Sequence, residues 1–284
     1  MKKFIRHRES RKDLGRAPAF DRRKKHSIQE VLIANFSRAK ESARILEELL
    51  QADHARASGM MKKIRFKVYD LEKHLSSIMD RTFDPSLYVI LDEQYLRPAH
   101  LEKDLHTMIV NRVTMVQLRV STMNDRMLLR NAQRISEILR DTGVTFIVNN
   151  RVDIALLCRA HGVHLGQRDV TISAARMMLG EHRIVGVSAR TRAQVLKAQR
   201  NGADYIGVGA IFQTRTKPDA RVIGLPKFKK LCQITHVPII GIGGITDRNY
   251  RSVLRAGASG IAVSSYVFKG PLRRRIRSLT GKRR

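Results

Sequence analysis

Three short runs in the second half of this 284-residue chain carry residues suited to holding phosphate. Gly241-Ile242-Gly243-Gly244-Ile245-Thr246 groups three glycines, and glycine lets backbone N–H groups come close to an anion. Gly260-Ile261-Ala262-Val263-Ser264-Ser265 ends in two hydroxyls. Thr214-Arg215-Thr216-Lys217 puts two hydroxyls and two cations in four residues. Elsewhere, polar residues follow apolar stretches: Gln117 and Arg119, Asn149 and Asn150, Gln167, Arg168 and Asp169, then Ser188 and Arg190. The Arg119 guanidinium can fork onto a phosphate. Asp169 is a lone carboxylate beside Gln167, and a hard cation such as Mg2+ takes oxygen ligands while keeping water and substrate phosphate. Each has a plainer reading. The glycines could serve tight turns, the Thr-Arg-Thr-Lys run could be a solvated loop, Arg119 could make a surface ion pair, and Asp169 could cap a helix that begins near Thr171.

Such residues need a scaffold that gathers them. From residue 84 onward, short apolar runs alternate with longer amphipathic stretches. Strands are expected at Leu87–Leu91, Val113–Leu118, Thr145–Val148, Gly162–Leu165, Ile184–Val187, Tyr205–Gly209, Pro238–Ile242 and Gly260–Val263. Helices are expected between them, for example at Asn124–Asp141, Arg151–Arg159, Ser173–Leu179, Arg192–Asn201, Pro226–Ile234 and Asp247–Ala256. Alternation of this kind implies right-handed βαβ units and a parallel sheet. Eight repeats within residues 84–268 fit a closed (β/α)8 TIM barrel better than an open sheet. The strands are apolar on both faces, as buried parallel strands are. Working residues of such a barrel lie at the C-terminal strand ends, and seven of the eight expected ends carry the polar or small residues named above.

Residues 28–80 read as a helical hairpin extension. Ile28, Val31, Leu32, Phe36, Ala39, Ala43, Leu46 and Leu50 recur at spacings of three and four, and Ser27 with Glu30 has capping-box spacing. A second stripe runs through Met61, Ile64, Val68, Leu71, Leu75 and Ile78, with Ser58 and Gly59 as the expected break. A hairpin must cover its apolar faces against the barrel or a second subunit, so a homo-oligomer is one expectation. Residues 1–27 read as a disordered basic tail, with eleven Lys/Arg against three acids, and residues 269–284 as a second basic tail, with eight against none. These ends carry more than half of the formal net charge of +30. Tails of this kind touch polyanions non-specifically. Aromatic residues make up only 5% and Trp is absent, which leaves little material for a base-stacking surface. No apolar run approaches the roughly 18 residues that span a bilayer, and the basic start has no apolar stretch of a secretory signal behind it. Cys158 and Cys232 offer no disulfide framework or metal cluster and suit a reduced cytosol, hence a cytoplasmic location.

At these residues the chain resembles the thiamine-phosphate synthase family. The matching runs are Gln117-Leu118-Arg119-Val120-Ser121, Asn149-Asn150-Arg151-Val152-Asp153 and Gly162-Val163-His164-Leu165-Gly166-Gln167-Arg168-Asp169. They continue with Gly186-Val187-Ser188, the segment from Gly207 through Thr214-Arg215-Thr216-Lys217, and Gly241-Ile242-Gly243-Gly244-Ile245. The resemblance covers residues 86–268 in order, and Ala34–Ala39 with Arg44–Glu47 resemble a helical extension fused to some members. It implies that a hydroxymethylpyrimidine diphosphate and a thiazole phosphate are the small-molecule substrates, joined with loss of pyrophosphate. It also implies Arg119, Lys217 and Ser188 as catalytic residues, with Arg119 and Lys217 on the diphosphate. Mg2+ would be held by Asp169 and Asn150. Asn149 and Ser188 would contact the pyrimidine, while Thr214, Thr216, Gly244, Ser264 and Ser265 would seat the thiazole phosphate. Gln117, Leu118, Val120, Ser121, Arg215 and Gly243 complete the implied substrate-binding set.

Two positions depart from the family's pattern. A Lys is replaced by Ser121, which removes a cation from the diphosphate, and an Asp is replaced by Asn150, which weakens the metal site. Arg151, Arg168, Arg190 and Arg215 could stand in for the lost cation. Two other readings stay open. A thiazole tautomerase-like relative needs an acid/base at a strand end, but Arg190 stands two residues past Ser188 and His164 reads as packed within its strand. A non-catalytic barrel that binds phosphorylated ligands is the other.

Overall fold

The computed structural model describes residues 28–79, 81–214 and 221–280; of residues 28–30, 74 and 76–79 it describes the backbone alone. The expected tail at residues 1–27, the cluster Arg215, Thr216 and Lys217, and residues 281–284 lie outside the described residues. The chain divides into two units, Met1–Met79 and Asp80–Arg284.

In the first unit, α1 (Ile28–Leu50) and α2 (Ala55–Met79) form the hairpin. Ion pairs join the helices, among them Lys40 Nζ to Glu72 at 2.7 Å and Arg65 Nε to Glu47 at 2.9 Å. The break falls at residues 51–54 and not at Ser58 and Gly59, which lie inside α2. Ser58 has turned inward, and its hydroxyl donates to the Glu47 carbonyl at 2.9 Å. A serine that finds a backbone acceptor on the neighbouring helix has no need to end its own.

The second unit is a closed parallel barrel with strand order β1 to β8. The strands are β1 (Leu87–Asp92), β2 (Met115–Arg119), β3 (Thr145–Asn149), β4 (Gly162–Leu165), β5 (Ile184–Ala189), β6 (Tyr205–Val208), β7 (Ile239–Ile242) and β8 (Gly260–Val263). Successive side chains alternate between two cores. Tyr88, Ile90, Met115, Ile147, Ile184, Tyr205, Ile240 and Ala262 fill the barrel interior, with Phe83 packed against them. Leu87, Val89, Leu91, Val116, Leu118, Phe146 and Val148 belong to a larger core that includes helix residues. The helices are α3 (Leu101–Val110), α4 (Asp125–Leu139), α5 (Val152–Leu157), α6 (Ile172–Leu179), α7 (Arg192–Arg200), α8 (Leu225–Cys232), α9 (Tyr250–Arg255), α10 (Ser265–Phe268) and α11 (Leu272–Leu279). Asn124, Thr171 and Thr191 cap α4, α6 and α7 with side-chain oxygens that accept backbone N–H bonds, each worth about 1 kcal/mol. Thr171 therefore does the capping that Asp169 could have done.

The expected basic tail at 269–284 needs correction, because Leu272–Leu279 is α11. Ile276 and Leu279 are buried and Leu272 is partly buried against the core. Spacings of four and three place all three on one face, a stripe masked in composition by the surrounding arginines. Arg277 Nε also donates to Asn111 Oδ1, just past α3, at 2.9 Å.

Candidate functional site

A cavity of about 430 Å³ opens at the C-terminal ends of the strands. Ile90, Ile240, Ile242 and Ala262 give it apolar surface. Gln117, Arg119, Asn149 and Ser188 line it from one half of the ring, and Thr214, Gly243, Gly244, Ser264 and Ser265 from the other. Among the described residues, the lining holds four cations, Arg119, Arg190, Lys269 and Arg275, and no carboxylate. The chamber is built for anions.

On the β7–β8 side, Gly243 and Gly244 have φ of 98° and 65°, a region that only glycine enters at little cost. A Cβ on Gly244 would lie 2.4 Å from the Gln213 carbonyl oxygen, and one on Gly243 would lie 2.6 Å from Ala210 Cα. Asn249 braces this turn from both sides. Its Nδ2 donates to the Gly244 carbonyl at 2.9 Å, and its Oδ1 accepts from Thr246 N–H at 2.8 Å. Beside the turn, Ser264 Oγ is buried and has no hydrogen-bond partner among the described residues. Lys269 and Arg275 come from the segment expected to be a tail, and the Arg275 guanidinium lies 4.7 Å from the Tyr266 ring centre. Neither was legible as a site residue, because only the turn between α10 and α11 brings them back to the mouth.

On the β2 side, period two decides who faces inward. Gln117 and Arg119 line the cavity, whereas Leu118 and Val120 pack outward against the helix-side core. The side chains of Leu118 and Val120 thus face away from the cavity. Ser121 is exposed and away from the lining; its N–H donates to Glu93 Oε2 at 2.9 Å, as does Thr122 N–H. The Ser121 bond leads the causes that hold the Glu93 carboxyl below its ordinary range. Arg119 is ion-paired with Asp92, a buried strand-end carboxylate that the sequence reading missed by ending β1 one residue early. Gln94 Nε2 donates to the other Asp92 oxygen at 2.9 Å.

Of the arginines expected to replace the missing lysine, Arg190 lines the cavity, Arg168 does not, and Arg215 lies outside the described residues. Arg151 is committed elsewhere. It pairs with Asp125 at 2.5 Å and Asp153 at 2.7 Å, and its hydrogen bonds to Asp153 and Asp125 raise its pKa.

His164 corrects a second expectation. Packed as expected, it also lines the cavity. Its Nδ1 lies 3.0 Å from the Tyr205 hydroxyl and its Nε2 lies 2.9 Å from Ser188 Oγ. The Tyr205 hydroxyl lies 3.0 Å from that of Tyr88, which accepts from Gln117 Nε2 at 2.6 Å. Burial, the leading cause, pushes both phenols above their ordinary pKa, so both stay protonated. Strand alternation was the available signal: Val163 and Leu165 face outward, so His164 faces in. Gly186 in the Gly-Val-Ser run makes the room, since a Cβ there would lie 2.0 Å from the Tyr205 ring.

Asn150 and Asp169 sit past the ends of adjacent strands β3 and β4, and neither lines the cavity. Asn150 is exposed with φ 62°. Asp169 Oδ2 accepts from Gly166 N–H at 2.5 Å. No group of three or more His, Cys, Asp or Glu suited to a metal occurs among the described residues. One carboxylate and one neutral amide fit a Mg2+ that takes most of its ligands from water and a substrate diphosphate, and do not fit a protein-caged ion.

Residues 87–267 match the sequence pattern of the thiamine monophosphate synthase family, and residues 1–74 match that of the ThiD2 family. A curated thiamine-phosphate synthase of Clostridium acetobutylicum is 39% identical over 187 residues, covering 66% of this chain and 89% of the relative. One from Prochlorococcus marinus is 34% identical over 250 residues, 85% of this chain and 69% of the relative. A solved thiamine phosphate pyrophosphorylase of Pyrococcus furiosus superposes with a TM-score of 0.64 at 32% identity, covering 69% of this chain and 94% of that one.

Proposed function

We infer the workings of the cavity from one premise: the chain belongs to the thiamine monophosphate synthase family. Its activity is that of a transferase, in which 4-amino-2-methyl-5-hydroxymethylpyrimidine diphosphate condenses with thiazole phosphate. The thiazole nitrogen forms a bond to the pyrimidine methylene carbon while the bond from that carbon to the diphosphate oxygen breaks. Thiamine phosphate and pyrophosphate result. The nitrogen already carries its lone pair, so no general base need activate it.

The supporting observation is a strand-end chamber whose described lining holds four cations, no carboxylate and, among the described residues, one buried hydroxyl without a partner. Gly243, Gly244, Ser264 and Ser265 seat the thiazole phosphate, with Lys269 and Arg275 supplying charge at the rim. Arg119 takes the diphosphate on the other side, Lys217 joins it by the family's pattern alone, and Arg190 makes up part of the charge lost at Ser121. Asn149 and Ser188 hold the pyrimidine. Charge that develops on the departing pyrophosphate is stabilised most by groups already fixed in place, and the Asp92 brace fixes Arg119. Asp169 and Asn150 would hold Mg2+ together with the diphosphate; a bound ion would supply further positive charge against the leaving group. Purified protein given both phosphorylated precursors and Mg2+ should yield thiamine phosphate and one equivalent of pyrophosphate. Absence of both products overturns this assignment.

We further propose a cytoplasmic setting, a homo-oligomer and polyanion contact. No helix among the described residues is long and apolar enough to cross a membrane, and two unpaired cysteines accord with a cytoplasmic setting. A homo-oligomer is proposed on the two-helix extension. Polyanion contact through the basic ends is tested by a salt titration of a chain trimmed of residues 1–27 and 281–284, which spares α11. A salt-independent affinity, or one unchanged by trimming, removes that proposal.

A further inference from the structure

A continuous polar chain crosses the barrel interior from β2 to β5. Gln117 Nε2 donates to the Tyr88 hydroxyl. Among the described residues, that hydroxyl has one further partner, the Tyr205 hydroxyl. Its hydrogen must go there, because a buried O–H left without an acceptor is costly. The Tyr205 oxygen then accepts from Tyr88, and its own hydrogen has one destination, His164 Nδ1. An imidazole nitrogen that accepts carries no hydrogen, so in the neutral ring the proton sits on Nε2. His164 Nε2–H therefore donates to Ser188 Oγ. The Ser188 hydroxyl hydrogen is left to point into the cavity.

We propose that Tyr88, Tyr205 and His164 are positioning residues that fix Ser188 as a hydrogen-bond donor to the substrate. The direction set at Gln117 is passed through two phenols and one imidazole. It selects a ligand atom with a lone pair, such as a ring nitrogen of the aminopyrimidine, over an N–H group. This rests on the placement of the pyrimidine beside Ser188 given above. Two glycines serve the same arrangement: Gly186 lies under the Tyr205 ring, and a Cβ on Gly207 would lie 3.1 Å from His164 Cε1. Tyr205 and His164 stack with ring centres 5.5 Å apart, so neither ring is free to turn its donor elsewhere.

The tautomer can be observed directly. In full-length protein labelled with 15N-histidine, the His164 ring nitrogens are identified by their loss in His164→Gln or their displacement in Ser188→Ala. Nitrogen shifts should show Nδ1 bare and Nε2 protonated. In Tyr205→Phe the ring remains but the donor to Nδ1 is gone, so the other tautomer should gain population. In Tyr88→Phe the Tyr205 hydroxyl keeps its hydrogen for His164, and the tautomer should hold. A merely structural role would treat these two buried hydroxyls alike. In kinetics, Tyr205→Phe should raise KM for the pyrimidine diphosphate by roughly 3- to 10-fold, the value of one hydrogen bond, with KM for the thiazole phosphate unchanged. A protonated Nδ1 in the wild-type protein, or equal tautomer shifts in both variants, overturns the inference while the reading of the cavity stands. The expected tautomer with a KM change confined to the thiazole phosphate overturns the placement of the pyrimidine instead.

Discussion

Replacing Ser264 by alanine should move stability and substrate affinity in opposite directions. The Ser264 hydroxyl oxygen is buried without a partner among the described residues. An unsatisfied buried polar group costs about 1–3 kcal/mol, and alanine removes it with the loss of a single oxygen. The backbone, at φ −133° and ψ −92°, sets no special demand that serine meets and alanine does not. Partial relief of about 1 kcal/mol corresponds to a rise in Tm of roughly 2–4 °C for a unit of this size. Bound phosphate changes the sign, since a hydrogen bond to a charged group contributes about 1.5–3 kcal/mol. KM for the thiazole phosphate should therefore rise roughly 10- to 150-fold, and KM for the pyrimidine diphosphate should stay put. Differential scanning calorimetry and two-substrate kinetics on the same preparation give both numbers. A fall in Tm of several degrees would mean that the hydroxyl is satisfied in the free protein. An unchanged KM would remove Ser264 from the phosphate subsite. Either result refutes the reasoning.

Gly244→Ala should cost about 1–2 kcal/mol for a left-handed backbone, and about 1–3 kcal/mol more for overpacking against the Gln213 carbonyl; a urea melt within 0.5 kcal/mol of wild type would contradict this. Asn150→Asp should lower the Mg2+ concentration needed for half-maximal turnover, and an unchanged requirement would take this residue out of the metal site. The Glu93 carboxyl, held below its ordinary range chiefly by the Ser121 N–H, favours the folded state while ionised. Its contribution is therefore fully present above the unfolded glutamate value of about 4.3 and is lost as pH falls through the lower folded value. Urea midpoints of wild type and Glu93→Gln should differ at pH 7 and converge in acid; a constant gap would show that the carboxylate's charge is not involved.

Much of the barrel was legible because short apolar runs mark strands buried on both faces and the longer amphipathic stretches between them mark helices. Gly162–Leu165 and Gly260–Val263 coincide with their strands to the residue. Strand ends were less legible, since a polar residue that closes a strand looks like the start of a loop, and Asp92 was lost in this way. Motif resemblance gathers neighbours without regard to face, which is how Leu118 and Val120 entered the site beside Gln117 and Arg119. His164 shows the converse: an inward position on a short strand gave it a role that its place between two apolar residues concealed. Lys269 and Arg275 could not be read from the sequence at all, because the turn after α10 and the docking of α11 through Ile276 and Leu279 are masked by a run that looks like a basic tail.

That last helix has a practical bearing on how the gene can be altered. A stop codon after Phe268 would leave all eight strands encoded, yet it would remove α11, its grip on Asn111 beside α3 and the Arg275 guanidinium at the rim. The seam between β8 and β1 would lose its outer clamp together with two of the described lining's cations, Lys269 and Arg275. Reporter fusions and purification handles belong after Thr280, where the helix has already ended.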